Sequence, residues 1–264
     1  MIESPAAGSG AYPTAERIED FASNLATVRR RIADAAERVG RSGVDVRLLP
    51  VSKTVSEDRI RLAVAAGCDQ LGENKVQEAK RKAEHLADLG VRWSVIGHLQ
   101  TNKAKDVASF AAEFQALDRL RAAEALDRHL QQLGRGLDVY VQVNTSGEES
   151  KYGLEPDEVP AFLAALPSYS ALRVRGFMTL AELTPDVDRV RACFRLLRTV
   201  RDRARDLGPD LVGPGELSMG MSGDFEVAVE EGADGVRIGQ AIFGARAVPD
   251  SHYWPRSAPG PGAS

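Results

Sequence analysis

Cysteine and histidine are scarce in this chain. Two cysteines, Cys68 and Cys193, and four histidines serve 264 residues. The cysteines lie far apart, in no metal or redox spacing. That excludes a disulfide framework and a dithiol centre, and leaves buried thiols in a reducing cytosol as the expectation. His85, His98, His129 and His252 show no ligand spacing, so His98 is expected as a polar rim residue and not a metal ligand. A basic excess is also missing. The net charge of -4 offers no field for nucleic acid and no polybasic patch for a membrane. No apolar run approaches the ~18 residues of a spanning helix. The opening "MIESPAAGSGAYPTAE" has no basic start followed by an apolar run, so a signal peptide is not expected.

What remains is ordinary globular material, 43% hydrophobic and 27% charged, enough for a sizeable core. Residues 14 to 39 read as an amphipathic helix, with Thr14 as N-cap and Gly40 as its stop. Short apolar runs follow: "VRLLPVS", "CDQLG", "RWSVIG", "EFQALD", "LDVYVQVN", "LRVRGFM", "ELSMG" and "DGVRIG". Most precede a longer helical segment such as "SEDRIRLAVAAG" or "NKVQEAKRKAEHLADLG". Strands alternating with such helices pair in parallel through right-handed crossovers. Eight units in a chain near the ~250 residues typical of the fold predict a single (β/α)8 TIM-type barrel preceded by an N-terminal helix, with an open doubly wound sheet as the rival. The barrel domain is expected over 14–248, flanked by disordered segments at 1–13 and 249–264.

Candidate functional residues gather at the ends of the predicted strands: Lys53, Gly72-Glu73-Asn74, Gly97-His98, Asp118, Asn144, Met178, Ser218 to Ser222, and Arg237-Ile238-Gly239. In a barrel that face carries the site. "SMGMSGD" (218–224) and "RIGQAIFG" (237–244) each combine small residues with a helix start, where unpaired N–H groups favour an anion. A phosphate site from Ser222 and the backbone N–H groups of Gly239 and Gln240 is the functional reading; a tight turn and a helix cap are the bland one. Lys53 ends the apolar run "LLPVSK". Its head either reaches water or sits in a partly dry site as an amine that attacks an aldehyde. An aldehyde that also carries a phosphate would join the two, and pyridoxal 5'-phosphate (PLP) is such a molecule. A Schiff-base aldolase acting on a sugar phosphate would use the same parts. Arg237 favours PLP chemistry of a restrained kind. A guanidinium has no acceptor, so at the pyridine nitrogen it keeps that atom unprotonated and the ring a weak electron sink.

The segments "LLPVSKT", "LGENKVQEA", "IGHLQTNK", "VQVNTSGEESKYGL", "GFMTLAE" and "LSMGMSGDFEVAVEEGADGVRIGQAIFG" together resemble the pyridoxal phosphate homeostasis protein family (the YggS/PROSC type) over about residues 20 to 246. That family is a PLP-binding barrel similar to the N-terminal domain of alanine racemase. The resemblance implies a Schiff base to Lys53, phosphate at Ser222, Gly239 and Gln240, and Arg237 at the pyridine nitrogen. It also places Asn74 and Ser218 around the cofactor. The chain departs from the family at Ser94, where His is frequent, and at Gln240, where Thr or Ser is frequent. The second departure removes one side-chain hydroxyl but no backbone N–H. Asn74 with Gln77 also reads as a helix-cap pair. Lys151, in "TSGEESKYG", is expected to be solvated.

The implied function is a PLP carrier or regulator in the cytoplasm. Its expected partners are PLP and PLP-dependent apoenzymes, without nucleic acid or membrane, and the expected state is a monomer or weak dimer. The alternative is a PLP-dependent amino-acid racemase, which needs an acid/base group on each face of the α-carbon. Lys53 serves one face. No second, β-rich domain is expected after the last strand, and of the tyrosines only Tyr152 is expected near the mouth. Efficient catalysis is therefore not expected, and a scaffold with a vestigial site is the third class.

Overall fold

The computed structural model describes residues 12–148 and 150–245, so the expected tail at 249–264 and residues 1–11 lie outside the described residues. The strands are β1 (Arg47–Pro50), β2 (Gln70–Glu73), β3 (Arg92–Val95), β4 (Glu113–Leu117), β5 (Leu137–Gln142), β6 (Leu172–Met178), β7 (Glu216–Ser218) and β8 (Gly235–Ile238). The helices are α1 (Ile18–Glu37), α2 (Glu57–Ala65), α3 (Val76–His85), α4 (Ala104–Phe110), α5 (Leu120–Gln132), α6 (Val159–Ala165), α7 (Val187–Leu207), α8 (Pro209–Val212), α9 (Phe225–Glu230) and α10 (Gln240–Phe243). All strand pairs are parallel in the order β1-β8-β7-β6-β5-β4-β3-β2. The two ends of that series join through one bridge, Val51 to Gly72, with the Ser52 N–H donating to the Gly72 carbonyl at 3.0 Å. The ring is thus a (β/α)8 barrel, as the alternation predicts.

The N-terminal helix begins at Ile18, four residues after the start expected at Thr14. Asp20 accounts for the difference: its carboxylate accepts the backbone N–H groups of Glu16 and Arg17 at 3.2 and 3.1 Å, so the cap forms at Arg17. Phe21, Leu25, Val28 and Ile32 recur at spacings of three and four and are buried. That stripe packs α1 against α2, α9 and α10, where the Phe21 ring meets Phe243 edge-on at 5.6 Å. Cys68 and Cys193 are buried and free, as expected, and burial pushes the Cys68 thiol up to about 11.

Alternation along each strand sends one set of side chains into the lumen and the other toward the helices. The outer set is apolar, for example Leu71, Val95, Phe114 and Val236, all fully buried. The lumen is not filled by the branched aliphatics usual for this fold. Arg47 donates to Glu113 at 2.7 Å and to the Tyr140 hydroxyl at 3.3 Å, and Gln70 donates to Ser94 at 2.8 Å. The Tyr140 hydroxyl donates to Glu216, which also accepts from Arg175 at 2.6 Å. Gly176 lets β6 and β7 approach there, since a Cβ would lie 1.9 Å from the Glu216 carbonyl oxygen.

Candidate functional site

Lys53 follows β1 by three residues. The Val51 N–H donates to the Ile238 carbonyl at 2.8 Å, which ties the end of β1 to the end of β8. In the parallel register Leu49 sits opposite Arg237, whose side chain is in the lumen. Period-two alternation then directs Leu49 and, through its bridge to Gly72, Val51 to the lumen side; Lys53 stands in the turn just beyond and is half-buried. The next residue, Thr54, has φ +66°, the one positive φ of a non-glycine among the described residues.

Arg237 is 3% exposed. It donates to the Ser218 hydroxyl at 2.8 Å and to the Thr179 carbonyl at 2.7 Å. The Ser218 hydroxyl donates in turn to the Gln115 side-chain oxygen at 2.7 Å, and Gln115 donates to Glu113. A polar chain therefore runs from Arg237 down the lumen to Arg47. Burial pulls Arg237 down to about 10 against the nearby charge of Asp224, which still leaves it a cation at neutral pH. Its two bonds use two of the five N–H donors of a guanidinium.

Ser222 and Gly239 meet: the Gly239 N–H donates to the Ser222 hydroxyl oxygen at 3.3 Å. Gly239 caps α10, and half-buried Gln240 is its first residue. Asp224 holds the preceding turn by accepting the Met221 N–H at 2.5 Å, and its burial pushes its carboxyl up. Tyr12 also reaches this loop, donating to the Ser222 carbonyl at 3.4 Å. The expectation that Tyr152 alone lies near the mouth is thus corrected, because packing of the segment before α1 cannot be read from its composition.

Asn74 follows β2 in phase with Gln70, which lies in the lumen, and is half-buried. It does not cap α3; the cap residue is Lys75, without a side-chain bond. Gly97 presses on this turn, where a Cβ would come within 2.1 Å of the Asn74 carbonyl oxygen. His98 lies on the rim as expected. Its ring stacks on Tyr152 with centroids 3.8 Å apart, and burial and the Arg119 charge hold it below its ordinary value against Asp118. Lys151 is not solvated. It donates to the Ala181 carbonyl at 2.9 Å and pairs with Glu148, pinning the loop after β5 to the loop after β6.

Sequence reasoning missed Lys82. It is 0% exposed on α3 and donates to the Ser52 carbonyl, Glu73 and Glu78 at 2.8, 2.8 and 2.7 Å. The signal was available: Lys82 continues the buried line Val76, Ala79 at a spacing of three. Ser94 was noted as a departure but its role was not; it is the acceptor of Gln70 inside the lumen.

A strand-end lysine, a buried arginine on the adjacent strand and small-residue loops after strands seven and eight define a class of barrel: residues 23–247 match the family described as alanine racemase, N-terminal domain. The alanine racemase of Corynebacterium glutamicum shares the fold at 17% identity and TM-score 0.65, covering 90% of this chain and 64% of that one. The chain belongs to the pyridoxal phosphate homeostasis protein family. The Pseudomonas aeruginosa protein of that name is 42% identical over 227 residues, 86% of this chain and 96% of the relative, and the Aquifex aeolicus one is 40% identical over 84% and 96%. PipY of Synechococcus elongatus, solved with PLP bound, is similar at 33% identity and TM-score 0.75, covering 85% of this chain and all of that one. No helix among the described residues is long and apolar enough to cross a membrane.

Proposed function

We propose that this chain binds PLP at the barrel mouth and serves PLP homeostasis in the cytoplasm, as a monomer or weak dimer that loads the cofactor and passes it to PLP-dependent apoenzymes. The observation that carries the reading is Lys53 in the turn after β1, the strand that pairs with β8 and its buried Arg237. The donor set fits the group. Lys53 would take the aldehyde end through its amine, Ser222, Gly239 and Gln240 would take the phosphate, Arg237 would face the ring nitrogen, and Asn74 and Ser218 would lie around the cofactor. When bound, PLP supplies an aldehyde that condenses with a primary amine and a ring that draws electrons from an attached carbon.

Arg237 restrains the second property. It donates and cannot accept, so a ring nitrogen beside it stays unprotonated. Ser222 works from both sides. Its oxygen accepts the Gly239 N–H here; a phosphate oxygen is the stronger acceptor, and the Ser222 hydroxyl then turns to donate as well. Lys53 can move a proton on one face of a bound amino acid. Racemisation needs a second group on the other face, and Tyr152, stacked on neutral His98, is the rim tyrosine a racemase reading would call on.

The test is PLP loading followed by borohydride reduction and peptide mass spectrometry, with wash-in of deuterium at the α-carbon of L- and D-alanine run in parallel. PLP fixed on Lys53, transfer to an apoenzyme and only trace exchange support the reading. An adduct on another lysine, or none, refutes the site. Turnover of about 1–10³ s⁻¹ establishes the racemase instead.

A further inference from the structure

Lys82, Glu73 and Glu78 sit behind β1 and β2, outside the lumen, and none of them belongs to the binding residues above. Lys82 comes from α3 and is fully buried. An ammonium has three donors, and each has one partner: the Ser52 carbonyl at 2.8 Å, Glu73 at 2.8 Å and Glu78 at 2.7 Å. Glu73 takes a second bond from the Ser52 hydroxyl at 2.6 Å. Glu78 takes a second bond from the Thr54 N–H at 2.9 Å. Ser52 and Thr54 are the residues on either side of Lys53. The peptide is therefore gripped before Lys53 by a side chain and a carbonyl, and after it by an N–H.

The grip has a visible effect on the backbone. Thr54 holds φ +66°, a conformation that a β-branched residue rarely adopts and that persists only where the surroundings over-determine it. Stability alone does not explain the cluster. Burying charges costs several kcal/mol per ion, and apolar replacements of similar volume are often neutral or better. The other Glu73 carboxylate oxygen is buried with no partner, a cost that an apolar side chain there would not carry.

We propose that Lys82, with Glu73 and Glu78, is a clamp that sets the Ser52–Thr54 turn and so aims the Lys53 amine at the barrel mouth. The three are positioning residues for Lys53; the inference rests on the reading of Lys53 as the cofactor lysine. Lys82 acts through the Ser52 carbonyl and through Glu78, which fixes Thr54, and Glu73 holds Ser52 from its hydroxyl. Displacement of a reacting group by about 1 Å costs about 100-fold in rate, so a loosened turn slows attachment without removing any group that touches the cofactor.

The experiment compares the wild-type chain with Lys82→Met, Glu73→Gln, Thr54→Gly and Lys82→Met/Thr54→Gly. The first readout is the rate of PLP attachment to Lys53, trapped by borohydride. The second is the affinity for pyridoxine 5'-phosphate, which has the phosphate and ring but no aldehyde. Lys82→Met is expected to slow attachment by about 100-fold, while pyridoxine 5'-phosphate binds as to the wild type. Glycine has no penalty at positive φ, so Thr54→Gly added to Lys82→Met restores part of the rate. Attachment at the wild-type rate in both Lys82→Met and Glu73→Gln overturns the clamp while leaving Lys53 as the cofactor lysine. Loss of pyridoxine 5'-phosphate binding in step with attachment also overturns it, because the effect is then general. Should Lys82→Met not fold, Glu73→Gln, which keeps the shape, carries the same comparison. Should the wild type not attach PLP at Lys53, the cofactor reading has failed. The clamp is then read in the free protein from acylation of Lys53 relative to exposed Lys75: a severalfold change of that ratio in the variants supports it, and an unchanged ratio refutes it.

Discussion

The lumen of this barrel and the layer between the barrel and its helices are both buried, yet they are built from opposite materials. The lumen is a chain of hydrogen bonds, Arg47 to Glu113 to Gln115 to Ser218 to Arg237. The outer layer is apolar, with Ile60, Leu126, Phe194 and Val236 at 0% exposure, and Lys82 and Glu73 interrupt it. The difference separates two jobs. Apolar burial is non-directional and supplies the stability. A satisfied polar network fixes the direction of each group in it, and here its last member is the arginine at the mouth.

The comparison is broken most directly in the outer layer. Phe194→Ala is expected to cost about 3–5 kcal/mol in urea unfolding, with PLP affinity unchanged in the variant that remains folded. A large loss of affinity at unchanged stability would reverse the two roles. In the lumen, Ser218→Ala removes the hydroxyl between Arg237 and Gln115 and should cost about 1–3 kcal/mol. Here PLP binding should weaken along with stability, measured by titration beside the unfolding curve.

A third expectation concerns pH and the interruption itself. Burial pushes the Glu73 carboxyl up, against the Lys82 charge and the Ser52 bond. Burial also pushes Glu78 up, but the Lys82 bond and charge and the Thr54 N–H outweigh it and hold Glu78 down. For Glu73 the folded state keeps its proton when the unfolded chain, at an ordinary 4.5, has lost it. The unfolded state then binds fewer protons, so this contribution to stability is full below the ordinary value and falls as pH rises through the raised one. Glu73→Gln should remove that fall, seen as a flatter Tm profile above the ordinary value; a profile identical to the wild type would contradict it. The smallest effect is expected on the outside. Asp88→Asn breaks the pair with Arg61, at 2.5 Å but well exposed, and should leave Tm unchanged within error.

Much of the fold was legible because βα alternation repeats along the whole chain, and the chain positions of Lys53, Ser222 and Gly239 in the loops after strands, and of Arg237 in the last strand, followed from the same alternation. The lumen was not. Strands of three to five residues, as in β1, β4 and β7, are too short to display which alternate positions face inward. Lys82 was hidden differently: in "EAKRKAEH" it stands among charged neighbours that read as a solvated face, and only its phase with Val76 and Ala79 sets it apart. Lys151 and Tyr12 act through contacts with distant loops, and local sequence carries no record of those.

A closed ring of strands gives way first at its weakest join. Two joins here are single where every other neighbouring pair is joined at two or more positions: the Ser218–Gly235 pair between β7 and β8, and the Val51–Gly72 bridge between β1 and β2. Lys53 stands two residues beyond it. Local openings begin where few hydrogen bonds must break, so the ring would open first at these two joins, one of them beside Lys53, before the wall of longer strands β4 to β6. Grip on a ligand would then be lost before shape is, and a chain that has let go of its cargo would still be folded and ready to take up the next.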